Sequence, residues 1–207
     1  MSNWIILSIG FLAQTLFSSR LIIQWITSEK QKRVITPTLF WTLSLIASFL
    51  LFIYGYLRDD FAIMLGQGLT YYIYIRNLQL QNQWKTFPVG IRYILLLMPV
   101  FITVFYFNNN EIDTVKLFKN EAIPFWLLML GIVSQIVFTL RFVYQWIYSE
   151  KNKESSLPLG FWALSLIGSL LILTYAIFRV DYVLLVGHSL GAIIYFRNLL
   201  ILKKQDA

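Results

Sequence analysis

The sequence predicts an all-α membrane protein of seven transmembrane helices, arranged 3+1+3 as two parallel triple-helix bundles joined by a single helix. Composition comes first: of 207 residues 58% are apolar and 13% charged, with a mean hydropathy of +0.66, more hydrocarbon than a soluble chain this size can bury. Aromatic side chains make up 17%, the excess expected where helix ends meet a water-lipid boundary. Apolar runs long enough to cross roughly 30 Å of hydrocarbon then fall at 4–26, 39–56, 61–80, 91–107, 123–147, 159–178 and 182–202.

The first run follows only Met1-Ser2-Asn3, with no basic stretch before it and no small-residue cleavage site after it, and reads as a retained span rather than a signal peptide. Thr36-Pro37 and Ser156-Leu157-Pro158 place a hydroxyl and a helix-starting proline before the second and sixth runs. Basic residues follow the first run (Lys30, Lys32, Arg33), flank the loop after the third (Lys85, Arg92), follow the fifth (Lys151, Lys153) and end the chain (Lys203, Lys204). The other loops are short or acidic: Arg58-Asp59-Asp60, residues 108–121, and Arg179-Val180-Asp181. Positive-inside placement then puts the N-terminus outside and the C-terminus in the cytoplasm. The net charge of +7 is read as this topology signal and as anionic-lipid contact, with no nucleic-acid partner, because no basic arm stands outside the apolar runs. With no Cys and one His the chain offers no disulfide, thiolate or zinc chemistry, and no metal or cofactor is expected.

At an offset of 121 residues the first three runs align with the last three without a gap, roughly 30 of about 70 positions being identical. Arg20 falls on Arg141, Gln24-Trp25 on Gln145-Trp146, Ser28-Glu29-Lys30 on Ser149-Glu150-Lys151, and Phe40-Trp41 on Phe161-Trp162. Tyr74, Arg76 and Asn77 fall on Tyr195, Arg197 and Asn198. The domain reading is a first repeat at 1–82, a linker with an inverting helix at 83–121, and a second repeat at 122–207. Because that helix restores the starting side, both repeats run parallel about an axis along the membrane normal, with the first and fifth spans facing each other.

At 100° per residue Gln14, Arg20, Gln24 and Ser28 share an arc of about 120°, and Gln135, Arg141, Gln145 and Ser149 repeat it. Three readings of the arginines stand: snorkelling to the headgroups, an ion pair to a carboxylate, or a shared site in which two guanidinium forks hold a phosphate or carboxylate. Gln67, Tyr74 and Asn77 on the third span, and His188, Tyr195 and Asn198 on the seventh, fall on one face that can line a cavity. His188 stands where the first repeat has Gln67, and reads as a neutral hydrogen-bonding group rather than a proton relay. Arg76 and Arg197 lie off that face and read as snorkelling or lipid-phosphate contacts. Ser44, Ser48, Ser165 and Ser169 read as close helix packing, and Trp41 and Trp162 as interface anchors or as rings stacking on a sugar at a cavity mouth.

Two copies of R-x-x-x-Q-W-x-x-S-E-K-x-K, then P-x-x-F-W-x-x-S, R-x-D and Y-x-R-N-L, resemble the membrane domain called the lipid-A-disaccharide synthase N-terminal-like domain. That domain is similar to the PQ-loop and SWEET/SemiSWEET sugar transporters in its triple-helix repeat, although neither Pro37 nor Pro158 is followed by Gln here. The resemblance implies a bacterial inner-membrane transporter or flippase for a sugar- or phosphate-bearing lipid intermediate of lipid A or envelope glycolipid assembly, polyprenyl-phosphate-linked carriers included. Its alternative is a membrane subunit assisting lipid A disaccharide synthesis beside a membrane-associated glycosyltransferase. No catalytic residue is assigned, since no run holds an Asp or Glu and no Gly-rich nucleotide loop occurs.

Overall fold

The apolar runs fold as helices whose ends are set by duplicated local signals. In the computed structural model, which describes residues 3–57, 61–108, 124–179 and 182–205, these are α1 (Asn3–Gln31), α2 (Thr38–Leu57), α3 (Phe61–Leu80), α4 (Val89–Asn108), α5 (Phe125–Asn152), α6 (Leu159–Arg179) and α7 (Tyr182–Gln205). A single 3₁₀ turn, Trp84–Thr86, precedes α4. The loops 58–60 and 180–181 and the connection 109–123 lie outside the described residues.

Helices α1 and α5 continue past their apolar stretches through Ser-Glu-Lys, α1 reaching about 43 Å at 1.5 Å per residue. Both stop where a lysine, Lys32 or Lys153, takes a left-handed φ of 53° or 55°. The next amide then turns back: Arg33 N–H donates to the Ser28 carbonyl and Glu154 N–H to that of Ser149, each at 3.2 Å. At the starts of α2 and α6, Pro37 and Pro158 accept from Phe40 and Phe161 at 2.9 Å, where a proline's missing donor is not needed.

Within each half the order of packing is the same: α1 on α2 on α3, and α5 on α6 on α7. The halves meet chiefly through α1 against α7 and α3 against α5, two contacts that exchange when the repeats are exchanged. The backbone seam is thus crossed, while α1 and α5 meet across it through long side chains, the Arg20 guanidinium lying 5.5 Å from the Phe142 ring. Helix α4 rests on α2, and Tyr72 of α3 donates to its Leu96 carbonyl at 3.1 Å.

Four described helices, α1, α2, α5 and α6, are long and apolar enough to cross a membrane, fewer than the seven spans expected. Helices α3 and α7 carry Arg76, Asn77, Arg197 and Asn198, which turn toward the seam. Since lipid tails are as apolar as the core, close contact and interhelical hydrogen bonds have to hold such a bundle. Close contact is visible at Gly10 and its repeat mate Gly131, where an added Cβ would come within 2.9 Å of the Tyr54 or Tyr175 ring. The core fills the seam with paired aromatics: Phe40 edge-on to Trp41 at 4.8 Å, Phe161 edge-on to Trp162 at 5.0 Å, and Tyr74 edge-on to Phe142 at 5.3 Å.

Candidate functional site

The seam is layered from the basic end inward, and its outer layer is ionic. Arg76 of α3 grips Glu150 of α5 with two prongs, Nε on one carboxylate oxygen and Nη2 on the other at 3.0 Å. Arg197 of α7 grips Glu29 of α1 identically, its Nη2 also at 3.0 Å. These arginines therefore neither snorkel nor wait for lipid phosphate. Their carboxylate partners belong to the duplicated Ser-Glu-Lys motif, which in the sequence signals the repeat but not a partner for these arginines. Both pairs stay partly exposed, so solvent screens them and each adds little to stability.

One layer deeper sit two buried amide pairs. Gln24 Nε2 donates to Asn198 Oδ1 at 2.9 Å while Asn198 Nδ2 donates to Gln24 Oε1 at 3.2 Å. Gln145 and Asn77 form the mate, at 2.8 and 3.1 Å. The same glutamines reach the Ser28 and Ser149 hydroxyls and the Ile35 and Ser156 carbonyls, and each asparagine donates one turn back along its helix. In this conformation the four amides hold the repeats together, and their donors have protein acceptors.

Beyond the amides lie Arg20 and Arg141, 4% and 5% exposed. Such burial excludes snorkelling. Arg20 Nη1 donates to the Ser44 hydroxyl; Arg141 Nη1 donates to the Tyr195 hydroxyl at 3.0 Å and to Ser165 at 3.4 Å. Aromatic faces supply the rest of the surround. The Arg20 guanidinium lies 4.6 Å from the Phe17 ring and 5.5 Å from Phe142, and the Arg141 guanidinium lies 3.5 Å from Phe138 and 4.6 Å from the same Phe142. Two cations thus share one ring.

Among the described residues the carboxylates are Glu29, Glu150 and Glu154, and neither buried arginine forms an ion pair. Hydroxyl contacts and cation–π attraction of about 0.5–2 kcal/mol each offset only part of the several kcal/mol lost when a charge leaves water. The two like charges also repel, more strongly at low dielectric. The Nε atoms of both arginines are buried without a partner.

The remaining expected site residues divide. Tyr74 and Tyr195 line the arginine layer, within 5.5 Å of the two guanidiniums. Trp41 and Trp162 are fully buried in the core, which corrects the interface-anchor reading. Gln67 and His188 occupy equivalent places beside Ser48 and Ser169; the Ser169 hydroxyl lies 3.1 Å from His188 Nδ1 and donates to the His188 carbonyl at 3.0 Å. Gln14 and Gln135 point out of the bundle, because six residues of helix rotate them about 120° from the arginines, and Ala13 and Ser134 face inward instead. No group of three His, Asp or Glu side chains that could hold a metal occurs among the described residues.

Comparison with known proteins places the two halves in one family. Residues 9–79 and 130–200 each match the family described as "Lipid A Biosynthesis N-terminal domain". Curated relatives named lipid-A-disaccharide synthase align along nearly the whole chain: that of Chlamydia pneumoniae is 31% identical over 98% of this chain and 34% of its own length. That of Chlamydia felis is 30% identical over 96% of this chain and 33% of its own, and that of Chlamydia trachomatis serovar D is 27% identical over 95% and 34%. The chain thus spans about a third of the length of the curated relatives it matches. No solved structure matches it.

Proposed function

Because the chain belongs to the Lipid A Biosynthesis N-terminal domain family and carries that domain twice, we propose that it binds the anionic headgroup of a phosphate-bearing glycolipid intermediate of envelope assembly and carries it across the bacterial inner membrane. The observation that supports this reading is the pair of buried, carboxylate-free arginines, Arg20 and Arg141, lying between the repeats. Guanidinium forks suit a phosphate, whose several oxygens accept two prongs at once. Tyr74 and Tyr195 border the headgroup, with Gln67 and His188 further along the same helices. The ion pairs and amide pairs close the site toward the basic end. They part to admit the ligand, freeing Gln24, Gln145, Asn77 and Asn198 to donate to it.

In this proposal all seven helices span the bilayer, 3+1+3, as in a SWEET-type transporter, with the basic end and the C-terminus in the cytoplasm and the N-terminus outside. A second reading rests on a specific finding: the matched relatives are named lipid-A-disaccharide synthase, and the chain covers a third of them. There the same anion site presents a lipid to a membrane-associated glycosyltransferase and nothing crosses the membrane.

Translocation separates the two. Proteoliposomes are loaded with a fluorescent polyprenyl phosphate, and loss of signal to a membrane-impermeant quencher is followed. The transporter reading expects protein-dependent exchange between leaflets that Arg20→Lys or Arg141→Lys slows at least tenfold. Arginine-dependent binding without exchange favours the accessory reading, and absence of both overturns the anion site.

A further inference from the structure

Seven buried side-chain polar atoms have no hydrogen-bond partner among the described residues, and they are not shared evenly. Six lie at or before Arg92, and one, Arg141 Nε, lies in the second repeat. Buried polar atoms in folded proteins are nearly always paired, with protein or with water. Three of them, Trp41 Nε1, Gln67 Oε1 and Tyr71 OH, belong to α2 and α3 of the first repeat, α2 packing against α1, the helix that carries Arg20.

Comparison with the repeat mates shows how each atom comes to be free. The Trp162 indole N–H donates to the Leu157 carbonyl at 3.1 Å. The equivalent carbonyl, that of Thr36, is taken at 2.9 Å by Gln81 Nε2, a side chain whose repeat mate is Leu202, so Trp41 Nε1 is left over. His188 Nδ1 lies 3.1 Å from the Ser169 hydroxyl. In the first repeat the Ser48 hydroxyl reaches the Gln67 main-chain carbonyl at 3.4 Å, as Ser169 reaches that of His188, but Gln67 Oε1 is left without a partner. Tyr71, fully buried, has Ala192 as its mate. Three substitutions between the repeats therefore expose an indole donor, an amide acceptor and a phenol that both donates and accepts. Gln67, Tyr71 and Tyr74 lie three and four residues apart on one face of α3, and Trp41 and Tyr74 rings pack at 6.0 Å.

Resting on the anion-site reading, we infer that the first repeat holds the sugar of the ligand. The phosphate lies between Arg20 and Arg141, and Trp41, Gln67 and Tyr71 hydrogen-bond an uncharged hydroxylated ring such as a hexose joined to it. The chemistry selects that class. A set of one donor, one acceptor and one group that is both matches hydroxyls, which donate and accept, and none of the three carries charge. The neighbouring aromatic faces suit the C–H faces of a pyranose. The second repeat, with its counterparts satisfied internally, serves as the phosphate and packing half.

The test compares two charge-matched probes in phosphatidylcholine nanodiscs: decyl glucosyl phosphate and decyl methyl phosphate, both singly charged phosphodiesters. Wild-type protein is expected to bind the glucosyl probe at least tenfold more tightly. Tyr71→Phe, Trp41→Phe and Gln67→Leu should each reduce that preference about threefold to tenfold, the range of one neutral hydrogen bond, and leave the methyl probe's affinity unchanged. Trp162→Phe should leave the preference intact, and it also controls for loss of a buried indole. Equal affinity for the two probes, with arginine-dependent binding of both, overturns this inference while the anion site stands. A preference that Trp162→Phe abolishes as fully as Trp41→Phe overturns it as well. If neither probe binds, the anion-site reading itself fails.

Discussion

The two repeats are alike where they hold each other and unlike where they face inward. At the basic end the paired contacts across the seam have twins, Arg76–Glu150 with Arg197–Glu29 and Gln145–Asn77 with Gln24–Asn198, to within 0.1 Å in each of the two bonds of the amide pairs, although Ser155 adds a bond to Asn77 that Val34, its repeat mate, cannot make to Asn198. Further in, Arg141 gains a tyrosine hydroxyl, whereas Arg20 is bonded to Ser44 alone, and Trp162 and His188 are satisfied where Trp41 and Gln67 are not. Duplication has preserved the mechanical contacts and let the interior wall diverge. A homodimer of one repeat cannot do that, because a change on one side appears on both.

The largest expected effect breaks the symmetric part. Gln24→Leu leaves Asn198 Oδ1 buried without a donor, whereas after Gln145→Leu the Ser155 hydroxyl still donates to Asn77 Oδ1. Gln24→Leu should lower unfolding stability in detergent by about 2 kcal/mol, the penalty of an unsatisfied buried polar group, and Gln145→Leu by less. A loss in Gln145→Leu equal to or larger than that in Gln24→Leu would show that the Ser155 bond does not back up the second amide pair.

A smaller effect sharpens the contrast between α2 and α6. An added Cβ at Gly168 would meet the Phe138 main chain at 2.9 Å, while the mate of Gly168 is Ala47, fully buried yet already carrying its methyl. Gly168→Ala should destabilise by about 1–2 kcal/mol through overpacking. Ala47→Gly should cost about 1 kcal/mol through helix propensity. Thermal unfolding of the two variants checks both, and an unchanged melting temperature for Gly168→Ala would show that α5 and α6 yield.

The smallest effect belongs to the ion pairs. Glu29→Gln and Glu150→Gln should each change stability by less than Gln24→Leu does, and by still less in high salt, since the pairs are partly exposed and screened. Denaturation at low and high ionic strength measures this, and a loss matching the amide variants would mean that the ion pairs carry the seam.

Much of this architecture was legible in the chain. A repeat of 121 residues with matched Arg, Gln and Asn positions dictates two like bundles and puts those side chains in equivalent places. Helical periodicity also brought Arg20, Gln24 and Ser28 onto one wall. Periodicity says which residues share a face, however, and not what that face meets. The crossed seam decides that Arg76 reaches Glu150 and that asparagine ends beside glutamine. Gln14 lay at the margin of the 120° arc, where a single helix cannot settle whether a side chain turns in or out. The trapped Trp41 indole depends on Gln81 capturing a carbonyl 45 residues away, a competition visible only in three dimensions.

In the proposed function Arg20 and Arg141 form one anion site. Its most direct measurement is equilibrium binding of decyl methyl phosphate to wild type, Arg20→Lys, Arg141→Lys and the double variant, in phosphatidylcholine nanodiscs at unchanged fold. A lysine keeps the charge but loses the fork, so each single variant should weaken binding at least tenfold. Because both forks hold one phosphate, the double variant should fall short of the product of the single losses. Wild-type affinity in both lysine variants would contradict the account and leave the arginines as buried structural cations.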